Sequence, residues 1–133
     1  MMKMKAERII NTGYKFIGVP YIFNAPPFRT DMFDCSSFIQ YIFMVHGIIL
    51  PRNSRQQSMA GRRVSLKQIR KGDLLFFTTK DRKHKNGISK IGHVALYIGK
   101  GRMLHTYRPE NRVTITEIDK KWISKFVMAR RIL

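Results

Sequence analysis

Acidic residues are scarce in this chain of 133 residues: 8 Asp and Glu stand against 26 Lys and Arg, a formal charge of +18 with histidine neutral. The imbalance disfavours a cationic partner and attracts polyanions over distances set by the Debye length, without choosing among them. Nucleic acid, anionic wall polymers such as teichoic acid, and acidic membranes all qualify. A single cysteine, Cys35, excludes an internal disulfide, and the lack of any Cys-x-x-Cys pair removes dithiol redox chemistry and the usual structural zinc site. No stretch approaches the roughly 18 apolar residues of a transmembrane helix. At the N-terminus, Glu7, Arg8, Asn11 and Lys15 interrupt the apolar segment that an export signal needs. The sequence is therefore read without such a signal, which leaves open a cytoplasmic protein, one released by lysis, or a mature form.

What is present suffices for one domain over residues 1–133, since 44% of the residues are hydrophobic and the length is too short for two ordinary cores. Phe33-Asp34-Cys35-Ser36-Ser37 opens the most apolar helical segment, expected from Cys35 to about His46 and closed by Gly47. An aspartate before a helical run is a good N-cap, so Cys35 is placed in the first turn, where free N–H groups and the helix dipole favour thiolate over thiol. That is the setting of a nucleophile if a base lies nearby. A lone cysteine is also commonly a small buried hydrophobe.

Upstream, apolar residues from Lys3 to Phe16 form a helical stripe, and Val19-Pro20 leads into an irregular aromatic loop containing Tyr21 and Phe23. Downstream, Arg52 to Ser58 reads as a short capped helix and Leu74 to Thr78 as the first strand. Lys80 to Lys90 reads as a basic exposed loop. Further strands are expected at 93–98, 102–107, 113–118 and 126–133. Helices first and an antiparallel sheet second make an α+β fold, with the Cys35 helix packed across about five strands. His46 is read as a helix-end residue without chemistry.

His93 and His105 flank a hairpin whose two-residue link is Lys100-Gly101. In an unbroken register Gly99 faces Arg102 and His93 faces Arg108, three residues past His105. The two imidazoles become neighbours only through a register shift or bulge. A Cys–His–His set would follow nucleophile-triad logic: thiolate, imidazole as acid and base, and a third polar group fixing its tautomer. The same three residues as zinc ligands are a weaker reading because they lack close-spaced pairs. A small nucleic-acid-binding protein with incidental Cys and His residues is the reading of another class, resting on charge and on Arg62, Arg63, Lys83 and Lys85.

Over most of its length the sequence resembles the NlpC/P60 cysteine peptidases of bacterial cell walls. The resemblance is carried by Gly18-Val19-Pro20-Tyr21-Ile22-Phe23, Phe33-Asp34-Cys35-Ser36-Ser37, Leu50-Pro51-Arg52-Asn53-Ser54 with Gln57, Gly72-Asp73-Leu74-Leu75-Phe76-Phe77, Gly92 to Gly99, and His105. It implies a papain-like α+β fold, Cys35 as nucleophile, His93 as acid and base, and His105 as the group orienting it. It further implies substrate contacts from Tyr21, Phe23, Asp34, Ser36 and Ser54. Tyr21 would help the Cys35 N–H hold the oxyanion. The implied reaction cuts the γ-D-glutamyl bond to diaminopimelate or lysine in peptidoglycan stem peptides through a thioester, with no cofactor or metal, at the cell wall or outside the cell. Asn24-Ala25 and Ser37 depart from the family's usual glycines at the pocket wall. Poly-γ-glutamate, which also contains γ-glutamyl bonds, is an alternative substrate, and acyl transfer an alternative outcome.

Overall fold

In the computed structural model, which describes residues 2–133, four helices pack around one six-stranded sheet. Helix α1 (Met2–Tyr14) buries Ala6, Ile9 and Ile10 and turns its basic residues outward. It lies so close to the sheet that a Cβ on Gly13 would fall 2.6 Å from Leu104 Cδ2. Helix α2 (Cys35–Met44) buries Phe38, Ile39, Ile42 and Phe43 completely and is the centre of the larger core. Beyond its last turn Gly47 adopts φ +82°, where a side chain would be strained. His46 does more than end the helix: its Nε2 lies 2.7 Å from Thr12 Oγ1 and ties α2 to α1.

The remaining elements are α3 (Ser54–Gln57), β1 (Arg62–Val64), β2 (Leu74–Thr78), β3 (Ile91–Gly99), β4 (Arg102–Tyr107), β5 (Arg112–Glu117), α4 (Lys120–Ser124) and β6 (Phe126–Arg131). The strands form one antiparallel sheet in the order β1-β6-β2-β3-β4-β5, six strands where about five were expected. The additional strand is β1, three residues pairing Arg62 with Arg131 and Val64 with Ala129 at the sheet edge. Its two exposed arginines and short length leave no alternation to read.

Alternation sorts the inner strands between two faces. Leu74, Phe76, Val94, Leu96 and Leu104 pack beneath α1 and α2. Leu75, Phe77, Ala95 and Met103 pack on the other face with Trp122 of α4. Asp73, buried at the head of β2, receives Arg131 Nε on Oδ1 at 2.9 Å and Nη2 on Oδ2 at 2.8 Å, fastening β6 to its neighbour. Among the described residues no helix is long and apolar enough to cross a membrane.

Candidate active site

The site begins with the cap of α2. Asp34 is extended (φ −99°, ψ −179°); its carboxylate accepts from Ser37 N at 2.8 Å while Ser37 Oγ accepts from Asp34 N at 2.9 Å, a reciprocal capping box. Arg52 completes the carboxylate's partners, with Nη1 to Oδ1 at 3.2 Å and Nη2 to Oδ2 at 2.7 Å. Ser36 Oγ bridges the two, donating to Asp34 Oδ1 at 3.2 Å and accepting from Arg52 Nη1 at 3.0 Å. Arg52 also donates to the Ala25 carbonyl, which draws the aromatic loop onto the helix start. Asp34, Ser36 and Ser54 are all buried, and the Asp34 carboxylate is saturated by protein donors. Asp34 and Ser36 flank Cys35 at the start of α2, and Ser54 opens α3.

Cys35 is partly exposed and faces the backbone N–H groups of Val94 and Ser36. The expectation of a resting thiolate is overturned: desolvation pushes the thiol up to about 11, ahead of the lowering by Val94 N–H. The Asp34 carboxylate adds to the rise, and the Ser36 N–H and Arg55 charge oppose it. The helix start supplies donors, but too few to repay the loss of water.

His93 occupies β3 next to Val94 in sequence, and its fate depends on the hairpin. Lys100 and Gly101 both adopt positive φ (55° and 71°), as a two-residue hairpin turn requires. Gly99 faces Arg102 as the simple count demands, but Tyr97 then faces Met103, so Ile98 is an extra residue on β3. Continued from there, the register sets His93 opposite Tyr107 rather than Arg108, on the face that carries His105. His93 Nε2 lies 2.7 Å from His105 Nδ1, and His105 Nε2 lies 2.8 Å from Thr116 Oγ1.

Burial pushes His93 down to about 3, with Lys125 adding to the fall, and holds His105 well below the usual imidazole range with His93 as second cause. Thr116 Oγ1 can accept or donate, so this chain of two neutral rings admits two proton orders. In the one that leaves His93 Nδ1 unprotonated, His105 donates from Nε2 to Thr116 and accepts at Nδ1 from His93 Nε2–H. Trp122 packs edge-on to His105 and tilted over His93, with centroids at 5.5 and 5.6 Å, and Tyr107 stacks on His105 at 4.6 Å. Thr116, Trp122 and Tyr107 carried no motif in the sequence; Trp122, the only tryptophan, was the one signal available. Among the described residues no three His, Cys, Asp or Glu side chains gather as a metal-ligand set.

The aromatic loop supplies the opposite wall. Tyr21 bridges Phe33 beside the helix start, and its N–H donates to the Asn111 carbonyl at 2.9 Å. Desolvation raises its phenol, as do the Cys35 and Asp34 charges, while Arg108 lowers it. Phe23 stands 72% exposed beneath the Arg108 guanidinium, 5.6 Å from ring centre to Cζ. Arg55, whose Nη1 donates to the Ile91 carbonyl at 2.8 Å, senses both Cys35 and Arg82 of the basic loop.

A family model described as "NlpC/P60 family" matches residues 18–131, nearly the whole of the chain and all of the site. The chain belongs to the NlpC/P60 family. A γ-D-glutamyl-L-lysine dipeptidyl-peptidase of Bacillus cereus is 40% identical over 129 residues, covering 96% of this chain and 37% of the relative. A γ-DL-glutamyl hydrolase of Bacillus subtilis is 37% identical over 125 residues, covering 92% of this chain and 28% of the relative. The crystal structure of an NlpC/P60 family protein from Bacillus cereus superposes with a TM-score of 0.84 at 40% identity, over 96% of this chain and 40% of that one. The chain thus spans well under half the length of these relatives. The NlpC/P60 α+β fold inferred from the motif series is the fold observed, with one more strand.

Proposed function

We propose that this NlpC/P60 domain is a cysteine peptidase that hydrolyses the γ-D-glutamyl bond to diaminopimelate or lysine in peptidoglycan stem peptides. The observation that carries the reading is the capped Cys35 beside the strand whose His93 is held by His105 at 2.7 Å. The names of the peptidase and hydrolase relatives support the γ-glutamyl specificity.

The resting thiol and imidazole are both neutral, so the reaction begins with proton transfer rather than from a stored ion pair. The thiol gives its proton to His93 Nδ1 as sulfur attacks the γ-carbonyl carbon. His105, neutral and accepting at Nδ1, stabilises the imidazolium that forms. The oxyanion is held by the Cys35 N–H and by the Tyr21 hydroxyl, which its raised pKa keeps protonated. His93 then protonates the leaving amine, and a thioester joins the D-glutamyl γ-carbonyl to sulfur. Water, deprotonated by His93, cleaves the thioester and restores the thiol.

Tyr21 and the exposed Phe23 contact the substrate, while Asp34, Ser36 and Ser54 act from the starts of α2 and α3. The charge of +18 holds the domain to anionic wall polymers at the cell wall. It also favours a second substrate for the same chemistry, poly-γ-glutamate. Mass spectrometry of stem peptides incubated with wild type and with Cys35→Ala tests the reading. Cleavage between D-glutamate and the third residue by wild type alone is expected. Cleavage of poly-γ-glutamate alone would replace the substrate, and turnover by Cys35→Ala would remove the nucleophile.

A further inference from the structure

The γ-glutamyl bond has a feature an ordinary peptide bond lacks. A free carboxylate sits four carbon–carbon bonds from the scissile carbonyl, about 5 Å when extended. A site that selects this bond needs a cation roughly one side chain away from the attacking sulfur. Most charges near Cys35 are unsuited to that role. Arg52 is committed to Asp34, and Arg55 is half-buried with Nη1 on the Ile91 carbonyl.

Arg108 is different. It is exposed, forms no ion pair with a described carboxylate, and lies over the face of Phe23 at 5.6 Å. Its backbone position is fixed to the nucleophile's wall. Tyr21 N–H donates to the Asn111 carbonyl at 2.9 Å, Pro20 bridges Arg112, and Gly18 and Val19 pair with Val113 through bonds of 2.9 Å. The turn carrying Arg108 therefore moves with Tyr21, and Tyr21 senses both Cys35 and Arg108. Seated on an aromatic face and hydrogen-bonded to the Tyr21 side chain, the guanidinium keeps its remaining donors for an incoming carboxylate.

We propose that Arg108, braced on Phe23, is a specificity-determining residue that receives the free α-carboxylate of the γ-linked glutamyl residue. This deepens the γ-glutamyl reading above and rests on it. It also accounts for the exposure of Phe23, whose ring orients the guanidinium and shields one of its faces from water.

The test uses two synthetic stem peptides, one with D-glutamate and one with its α-amide, D-isoglutamine, which differ in this charge alone. Wild type is expected to favour the carboxylate by on the order of tenfold in kcat/KM, mostly through KM. Arg108→Gln should abolish that preference, slowing the carboxylate substrate about tenfold more than the amide. Arg108→Lys should restore part of it. Lys83→Gln, which removes one exposed charge elsewhere, controls for the general field and should retain the preference. A wild-type enzyme indifferent to amidation, or an Arg108→Gln variant that still discriminates, overturns the assignment while the peptidase reading stands. Cleavage of neither peptide by wild type overturns both, and Cys35 alkylation then shows whether the protein was folded.

Discussion

His93 and His105 share one face of the sheet because Ile98 is an extra residue in β3. Without it, strict alternation would put the two rings on opposite faces. The bulge converts a hairpin of two unrelated histidines into a hydrogen-bonded chain that ends on Thr116 Oγ1, 2.8 Å from His105 Nε2.

Thr116 should therefore act as a positioning residue for the His105 tautomer. Thr116→Val keeps the shape and removes the acceptor, so His105 loses its reason to carry the proton on Nε2. We expect kcat to fall roughly tenfold with KM unchanged, and Thr116→Ser to recover most of it. If the valine variant matches wild type in kcat, the part of the hydrogen-bonded chain that serves catalysis ends at His105.

His105→Ala should cost less than His93→Ala, since orientation contributes less than proton transfer. Single-turnover acylation of the two variants separates them, with His93→Ala down by about three orders of magnitude and His105→Ala by about two. The reverse order would exchange their roles.

How much of this was legible follows from which residues speak locally. The Asp34 cap, the apolar run of α2 and the Lys100-Gly101 turn are each decided within a few residues, and all three stand where the pattern put them. The neighbourhood of Cys35 was legible but its charge was not. Desolvation depends on what packs over the thiol, and β3 arrives more than fifty residues later in the chain. Arg52 read as part of a motif, yet only the fold shows it closing on Asp34. Ile98 looked like any strand residue, because a bulge is a property of two strands and not of one.

The resting pair has a pH signature. Cys35 stays protonated to about 11 against an ordinary 9.0, so iodoacetamide should alkylate the free domain slowly at pH 7 and faster as pH rises towards 11. A rate that already saturates below pH 7 would restore the thiolate. For stability the two groups act in opposite windows. His93, with its folded pKa lowered from 6.5 to about 3, contributes stability that is full above 6.5 and lost as pH falls through 3. Cys35 contributes stability that is full below 9.0 and lost as pH rises through 11. Thermal unfolding of His93→Gln should accordingly show a shallower decline than wild type between pH 6.5 and 4.5, and parallel declines would count against a buried neutral imidazole.

Asp73 and Arg131 pair with each other and bear on the fold. Asp73 also accepts from the Arg70 N–H at 2.9 Å, and Arg131 Nη2 also donates to the Gln68 carbonyl at 2.8 Å. Asp73→Ala strands a buried guanidinium, for which about 3–5 kcal/mol of lost stability is expected in urea unfolding. Replacing both partners, as Asp73→Leu with Arg131→Met, should recover most of that loss. A double variant as unstable as Asp73→Ala would mean that the backbone contacts, and not the isolated charge, set the cost.

Gly92 precedes His93, and a Cβ built on it would run into Thr79 Oγ1 and lie 2.7 Å from Thr79 Cγ2 and 2.9 Å from Thr79 Cβ. An alanine there requires either Thr79, one residue past the end of β2, or the start of β3, which carries His93, to shift. Gly92→Ala should therefore lower kcat through displacement of His93, by more than its effect on the unfolding midpoint would suggest. Thr79→Ala deletes the two nearer atoms and leaves only the contact at 2.9 Å, so adding it to Gly92→Ala should restore part of the activity. If the double variant is no more active than Gly92→Ala, the glycine is needed for something other than room beside Thr79, and the position of His93 is not held by this close approach.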